Sequence, residues 1–144
     1  MKLKTLIVYF CTLFICCQPK FQATFNKQMK ESFIYTFKIT YFKKLLLEGF
    51  NNSPEITKVL LKDKSGYGEF ILSIEDLHFI DSIVRADNKI MVADSIIRIG
   101  KVAEGSQGKH IFDYALKKYK SKWLDQISKQ RAKIYENIQK IAEY

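Results

Sequence analysis

The 144-residue chain holds two histidines, His78 and His110, and three cysteines, Cys11, Cys16 and Cys17, all within its first seventeen residues. These are the side chains that could act as bases, metal ligands or nucleophiles, and their placement argues against each role. Neither histidine stands in a metal-ligand spacing, so no metal and no cofactor is expected. His110 and Asp113 could meet at i,i+3 on a helix, but such a pair without a nucleophile makes a surface hydrogen bond rather than a dyad. Glu75, Asp76 and Asp81, near His78, read as first-turn acids and a solvated helix face. Serine hydrolysis would need a base and an orienting group that no spacing supplies. The run "AEGSQGKH", residues 103–110, is reminiscent of a phosphate loop, yet Ala103 stands where Gly is required and His110 where Ser or Thr is required. The expectation is therefore a protein that binds rather than catalyses.

The cysteines carry a different message. "MKLK" gives a basic start, "TLIVYFCTLFIC" is apolar for about a dozen residues, and "QPK" turns polar at once. A spanning helix needs roughly twenty apolar residues, so this layout is that of a secretory signal. Phe14 and Ile15 supply no small residue for an ordinary cleavage site. Cys16 is small and precedes Cys17, so Cys17 is the expected site of lipidation. An uncleaved anchor, a buried apolar helix and cleaved soluble export stay open as alternatives. On the lipoprotein reading, residues 1–16 are the signal, 17–20 a lipidated tether and 21–144 a single helical domain. That domain has no cysteine left for an internal disulfide, which a domain of this size can tolerate. Gln18 after the lipidated cysteine points to the outer membrane facing the periplasm, with the lipid anchor as the membrane contact.

From Cys17 onward, 22 basic residues face 15 acidic ones. That balance favours acidic partners, although the charge is spread along the chain and also suits a plain solvated surface. Nucleic acid is not expected for an exported chain. Few prolines and glycines interrupt the sequence, which fits one domain.

Apolar residues recur every four positions from Phe21 to Leu45, and no breaker intervenes before Gly49, so one long helix is expected with Gly49 as its stop. The stretch "FIYTFKITY" also alternates as a strand would, but the ladder outruns it. In "NNSPEI", Ser53 caps, Pro54 takes the first helical position and Glu55 suits the dipole of a helix running to Ser65–Gly66; a hairpin over 56–73 competes. Ser73 and Asp76 form a capping-box pair opening a helix with Leu77, Ile80, Ile83 and Val84 on one face. After "ADNK" a second helical pattern carries Val92, Ile96, Ile99 and Val102. From His110 the chain reads as helix with a break near Ser121 and apolar positions Ile111, Ala115, Tyr119, Trp123, Ile127, Ile134, Ile138 and Ile141. The sum is an all-α bundle of about six helices.

Two segments carry a family resemblance. "YFKKLLLEGFNNSPEI" ends a long aromatic helix and restarts a capped one, and "IFDYALKKYKSKWLDQI" contains Tyr119, Ser121, Lys122, Leu124 and Asp125 in a Tyr-x-Ser-Lys-x-Leu-Asp core. Together they resemble the all-helical immunity proteins that protect bacteria from type VI secretion amidase effectors. The resemblance implies that a rigid helical body presses a loop or helix end into the cleft of an amidase that cuts peptidoglycan. The loop at 100–109 is the candidate plug, with Glu104, Ser106 and Gln107 for hydrogen bonding and Lys101 and Lys109 for acidic rims. An ordinary helix connection competes for the same residues. The family pattern sets cysteines where this chain has Leu45 and Ala115, so the resemblance implies an apolar contact there instead of a disulfide. Typical members look soluble, so acylation is a departure. An envelope scaffolding lipoprotein without a toxin partner is the alternative, and a homodimer is left open.

Overall fold

The computed structural model describes residues 18–65 and 71–142, with side chains described within 26–65 and 71–137. All regular structure among them is helical: α1 (Gln18–Gly49), α2 (Pro54–Lys62), α3 (Ile74–Arg98), α4 (Ile111–Tyr119) and α5 (Lys122–Ala142), with a 3-10 turn at Glu104–Ser106. The signal segment 1–16, Cys17 and Gly66 lie outside the described residues. The expected tether residues Gln18–Lys20 belong to α1. Contacts divide the chain into a unit of residues 1–32 and a unit of residues 33–144. In the first unit the described part is the start of α1, where Lys27 and Glu31 pair at 3.9 Å across one turn.

The second unit holds the core. Phe33, Phe37, Tyr41 and Leu45 are fully buried at successive four-residue steps of α1, so the aromatic ladder is an inward stripe. Ile80, Val84 and Met91 of α3, Ile111 and Ala115 of α4, and Leu124 and Ala132 of α5 close around it. Leu45 and Ala115 are both completely buried in this cluster. Helix α3 runs parallel to α1: Phe37 meets Phe79 at 6.4 Å, while twelve positions further along each chain Gly49 adjoins Met91. Helices α4 and α5 run antiparallel to α1, shown by Phe42–Tyr119 at 5.6 Å and Phe50–Phe112 at 5.5 Å for the former, and Phe33–Tyr135 at 5.4 Å and Tyr41–Trp123 at 6.5 Å for the latter.

The caps follow local chemistry. Ser53 accepts from the Ile56 amide at 3.3 Å, and Ser73 and Asp76 form the reciprocal capping box. Helix α2 stops at Lys62, short of Ser65, because the Asp63 carboxylate accepts from the Ser65 amide at 3.1 Å and its hydroxyl at 2.7 Å, closing an Asx turn. Those bonds and the nearby Lys43 ammonium hold the Asp63 carboxyl down to about 2. The break near Ser121 is present, with the Ser121 hydroxyl accepting from the Leu124 amide at 3.2 Å at the start of α5.

Two expectations are corrected. The two helices expected on either side of "ADNK" are one, and five α-helices rather than six stand among the described residues; no Gly or Pro interrupts 74–98, and Asp87 faces inward. The inward face of α5 is Leu124, Ser128 and Ala132, while Trp123 and Ile134 are 40% and 46% exposed. Small residues line that face and let α5 approach closely, so the largest apolar side chains misreport it. Helix α1 stops at Gly49 as expected, but Gly49 itself is not left-handed. The residue in that conformation is Asn51, φ 54°; its amide bonds the Glu48 carbonyl, and the Asn52 amide bonds the Leu47 carbonyl at 2.7 Å, a Schellman closure with Asn in the usual glycine place. Asn52 follows at φ 55°. Because Asn52 is exposed and left-handed, Asn52→Gly is expected to raise stability by about 0.5–1 kcal/mol, read as the midpoint shift in urea unfolding.

Candidate functional site

Helix α1 ends level with Met91, whereas α3 continues to Arg98. Seven further residues at 1.5 Å each carry α3 about 10 Å past the end of its neighbour. On this overhang Ile96, Ile97 and Ile99 are 60%, 59% and 63% exposed, and Ile90, Val92 and Val102 are exposed as well. Core-facing positions of α3 are Ile80, Val84, Asp87 and Met91; continued at helical spacing, that face reaches Asp94 and Arg98. The aliphatic residues therefore lie on the two flanks beside it, Ile90 and Ile97 on one, Val92, Ile96 and Ile99 on the other.

The 100–109 loop leaves from the tip of this overhang. Gly100 turns the chain at φ 73° and Gly108 returns it at φ 101°, conformations that glycine adopts at little cost. Between them Ser106 and Gln107 donate backbone bonds to Ala103 and Glu104 at 2.8 and 3.1 Å. The loop is moored at its base. Arg98 Nη1 lies 3.1 Å from His110 Nδ1, and His110 Nε2 lies 3.1 Å from the Ser106 carbonyl. A guanidinium only donates, so donor logic assigns the tautomer that accepts at Nδ1 and donates from Nε2. Lys109 Nζ donates to Asn51 Oδ1 at 3.0 Å, tying the loop to the α1–α2 connection. Of the five expected contact residues, Lys101, Glu104, Ser106 and Gln107 are exposed on the loop, and Lys109 is half-buried at its mooring.

His110 and Asp113 do not pair. Asp113 binds Lys117 at 2.7 Å, and both line a recess of about 130 Å³ with Met91, Asp94, Arg98 and Tyr114. His78 sits in the first turn of α3, twenty residues and about 30 Å of helix from Arg98, the neighbour of His110. Among the described residues no group of three His, Cys, Asp or Glu side chains converges as metal ligands would. A larger open groove of about 320 Å³ lies between α1 and α3, lined by Lys44, Leu47, Glu48, Asn52, Asp81, Val84 and Arg85. Its cations are engaged, since Lys44 pairs with Asp81 and Arg85 Nε donates to the Asp81 carbonyl at 3.3 Å.

Below the overhang lies a buried polar knot that the sequence does not announce. Asp87, 3% exposed, accepts from the Tyr41 hydroxyl at 2.5 Å and the Tyr114 hydroxyl at 2.7 Å, and pairs with Lys118 at 2.7 Å. Lys118 Nζ stands 4.6 Å from the Trp123 ring centre, a cation–π contact. One carboxylate thus links α1, α3 and α4. A second buried acid, Asp76, does the same for α3 and α5 through Arg131 at 2.6 Å; it is not the solvated first-turn acid expected. The signal for Asp87 was available as an acid on the same helix face as Ile80, Val84 and Met91; for Asp76 it was the capping-box position at the foot of that face.

Burial, then the hydrogen bond to Asp87, pushes the Tyr41 hydroxyl far above the ordinary phenol value, and the same causes raise Tyr114. A group with a raised folded pKa contributes stability that is intact below its unfolded value, near 10, and lost as pH climbs past it. Stability is expected to fall above pH 10 by about 1.4 kcal/mol per pH unit for Tyr41 alone. Tyrosinate absorbance should show these two phenols ionising only as helicity is lost.

Comparison with protein-family models, curated proteins and solved structures finds no match to this chain. Fold and site define an all-helical protein whose exposed apolar helix end runs into a moored polar loop.

Proposed function

We propose that the protein is a binding protein of the cell envelope, tethered through Cys17, that blocks a peptidoglycan amidase by occluding its cleft. The observation that carries this reading is the continuity of the exposed α3 overhang with the 100–109 loop. Clusters of exposed aliphatic residues on one part of a protein mark contact surfaces, and the loop beside them offers Glu104, Ser106 and Gln107 for hydrogen bonding. The moorings through His110 and Lys109 favour binding because a pre-ordered loop loses little entropy on docking. The all-helical fold agrees with the family resemblance, and the spread positive charge suits an acidic partner.

The reading predicts an exported amidase encoded beside this chain. Deleting the gene for this chain alone should lyse the cells, and deleting both genes should restore growth. Normal growth of the single deletion in the presence of an active neighbouring amidase would exclude the immunity role.

A further inference from the structure

The groove between α1 and α3 holds two charged groups that the fold itself leaves unused. The Glu48 carboxylate makes no hydrogen bond or ion pair among the described residues. Arg85 is engaged only through Nε, which donates to the Asp81 carbonyl at 3.3 Å. That bond steadies the guanidinium and leaves its paired Nη edge, the fork that grips a carboxylate, without a partner among those residues. The other two charges of the lining, Lys44 and Asp81, satisfy each other. The lining is thus neutral in sum, with one unused cation and one unused anion beside half-buried Leu47 and buried Val84. Helix geometry sets the distance between them. Gly49 of α1 adjoins Met91 of the parallel α3, so Glu48 stands level with Ile90, five residues beyond Arg85. Five residues at about 1.5 Å each make roughly 7.5 Å. Side chains on parallel helices lean the same way, toward the N-terminus, which preserves that spacing. Asn88 continues the same flank of α3, four residues after Val84 and three after Arg85. Its amide oxygen is buried with no hydrogen-bond partner among the described residues, an acceptor at a level between the two unused charges.

We infer that this groove binds a short zwitterionic peptide, its C-terminal carboxylate on the Arg85 fork and its N-terminal ammonium on Glu48. The inference goes beyond the occlusion reading and stands without it. An extended chain covers about 3.4 Å per residue, so the gap between the two charges matches two or three residues. Small apolar side chains of the ligand lie over Leu47 and Val84, and Asn52 and Asn88 offer hydrogen bonds to its backbone. The groove volume, about 320 Å³, is at the small end for ligand sites and suits a molecule of this length. The charge pattern rejects other occupants. A phosphate or other plain anion would face the carboxylates of Glu48 and Asp81, and a metal ion would face Lys44 and Arg85. A longer chain would bring one free terminus to the groove and leave either Glu48 or Arg85 unmatched.

The test titrates trialanine into the full-length protein in mild detergent and follows backbone amide shifts by NMR. Saturable shifts at Leu47, Glu48, Val84 and Arg85 are expected, with a Kd of about 0.1–1 mM, as suits a small ligand in an open groove. N-acetyl-trialanine and trialanine amide should each bind at least about tenfold more weakly, because each lacks one charge. Free alanine, too short to reach both groups, should lose about as much. Arg85→Gln should bind trialanine and its amide alike while still rejecting the acetyl form. Glu48→Gln should bind trialanine and its acetyl form alike while still rejecting the amide. Helicity should be unchanged in both. If Arg85→Gln lowers it, Arg85→Lys is read in its place; it keeps the charge, loses the fork and should weaken binding about threefold. An absence of saturable shifts at these positions would overturn the site. Full affinity for either blocked peptide would reassign the groove to the single terminus of a longer chain and overturn the proposal. Sodium acetate that shifts the same amides at the same concentrations would reduce it to a plain anion site and overturn it as well.

Discussion

Replacing Asp87 by alanine is expected to lower stability by about 3 kcal/mol, as much as emptying a large apolar core position. The carboxylate receives two phenol hydroxyls and a lysine within 2.7 Å while almost wholly buried. Removing it strands the Tyr41 hydroxyl, which is fully buried with its residue, and an unsatisfied buried donor costs about 1–3 kcal/mol. It also removes the counter-charge from Lys118, whose side chain is 27% exposed and can partly turn to water; a fully buried pair would lose more, about 3–5 kcal/mol. Asp87→Asn keeps an acceptor without the charge, so its loss should be roughly half as large. Urea unfolding of the two variants measures both figures. Equal losses would mean that the charge, rather than the hydrogen bonding, organises the knot. Because Asp87 joins α1, α3 and α4 just below the overhang, the alanine variant should also lose hydrogen-exchange protection at the end of α3 before the rest of the core.

Gly49→Ala is expected to destabilise by about 2 kcal/mol, in the opposite sense to the usual gain from replacing a helical glycine. A methyl group at position 49 would lie 2.7 Å from Ile111 Cγ2 and 3.3 Å from its Cγ1. Ile111 is β-branched, buried and in the first turn of α4, so it has no free rotamer to retreat into. Either α4 shifts away from α1 or the side chain is strained, and both loosen the base of the 100–109 loop. Pairing the substitution with Ile111→Ala should recover part of the loss, since the two variants relieve one contact. A stabilising Gly49→Ala would show that α4 does not pack against α1 at this point.

Much of this fold was readable because its signals are local. Ser53–Pro54–Glu55 and Ser73–Asp76 announce their helices through caps that need nothing beyond four residues, and the buried stripe from Phe33 to Leu45 follows one period. The errors arose where tertiary contact overrides local appearance. The polar run around Asp87 resembles a connection between helices, yet its carboxylate turns inward to hydroxyls 46 and 27 residues away. Ser128 and Ala132 are buried by a close helix contact, which a ladder of large apolar residues does not register. Gly49 does end α1 and is a contact point as well, while the two asparagines after it take the left-handed positions. The loop at 100–109 is marked in the sequence by Gly100, Gly105 and Gly108, but the exposure of the helix end beside it is not. Ile96 and Ile99 look like core positions, yet they stand off the face of α3 that carries Ile80, Val84, Asp87 and Met91, and so they are left in water.

The immunity role is tested by calorimetric titration of the chain beginning at Cys17 against an amidase encoded beside it, followed by an assay of muropeptide cleavage on the same samples. Nanomolar, one-to-one binding and complete loss of cleavage at equivalence are expected. An absence of heat, with cleavage running at its full rate in excess of this protein, would contradict that role.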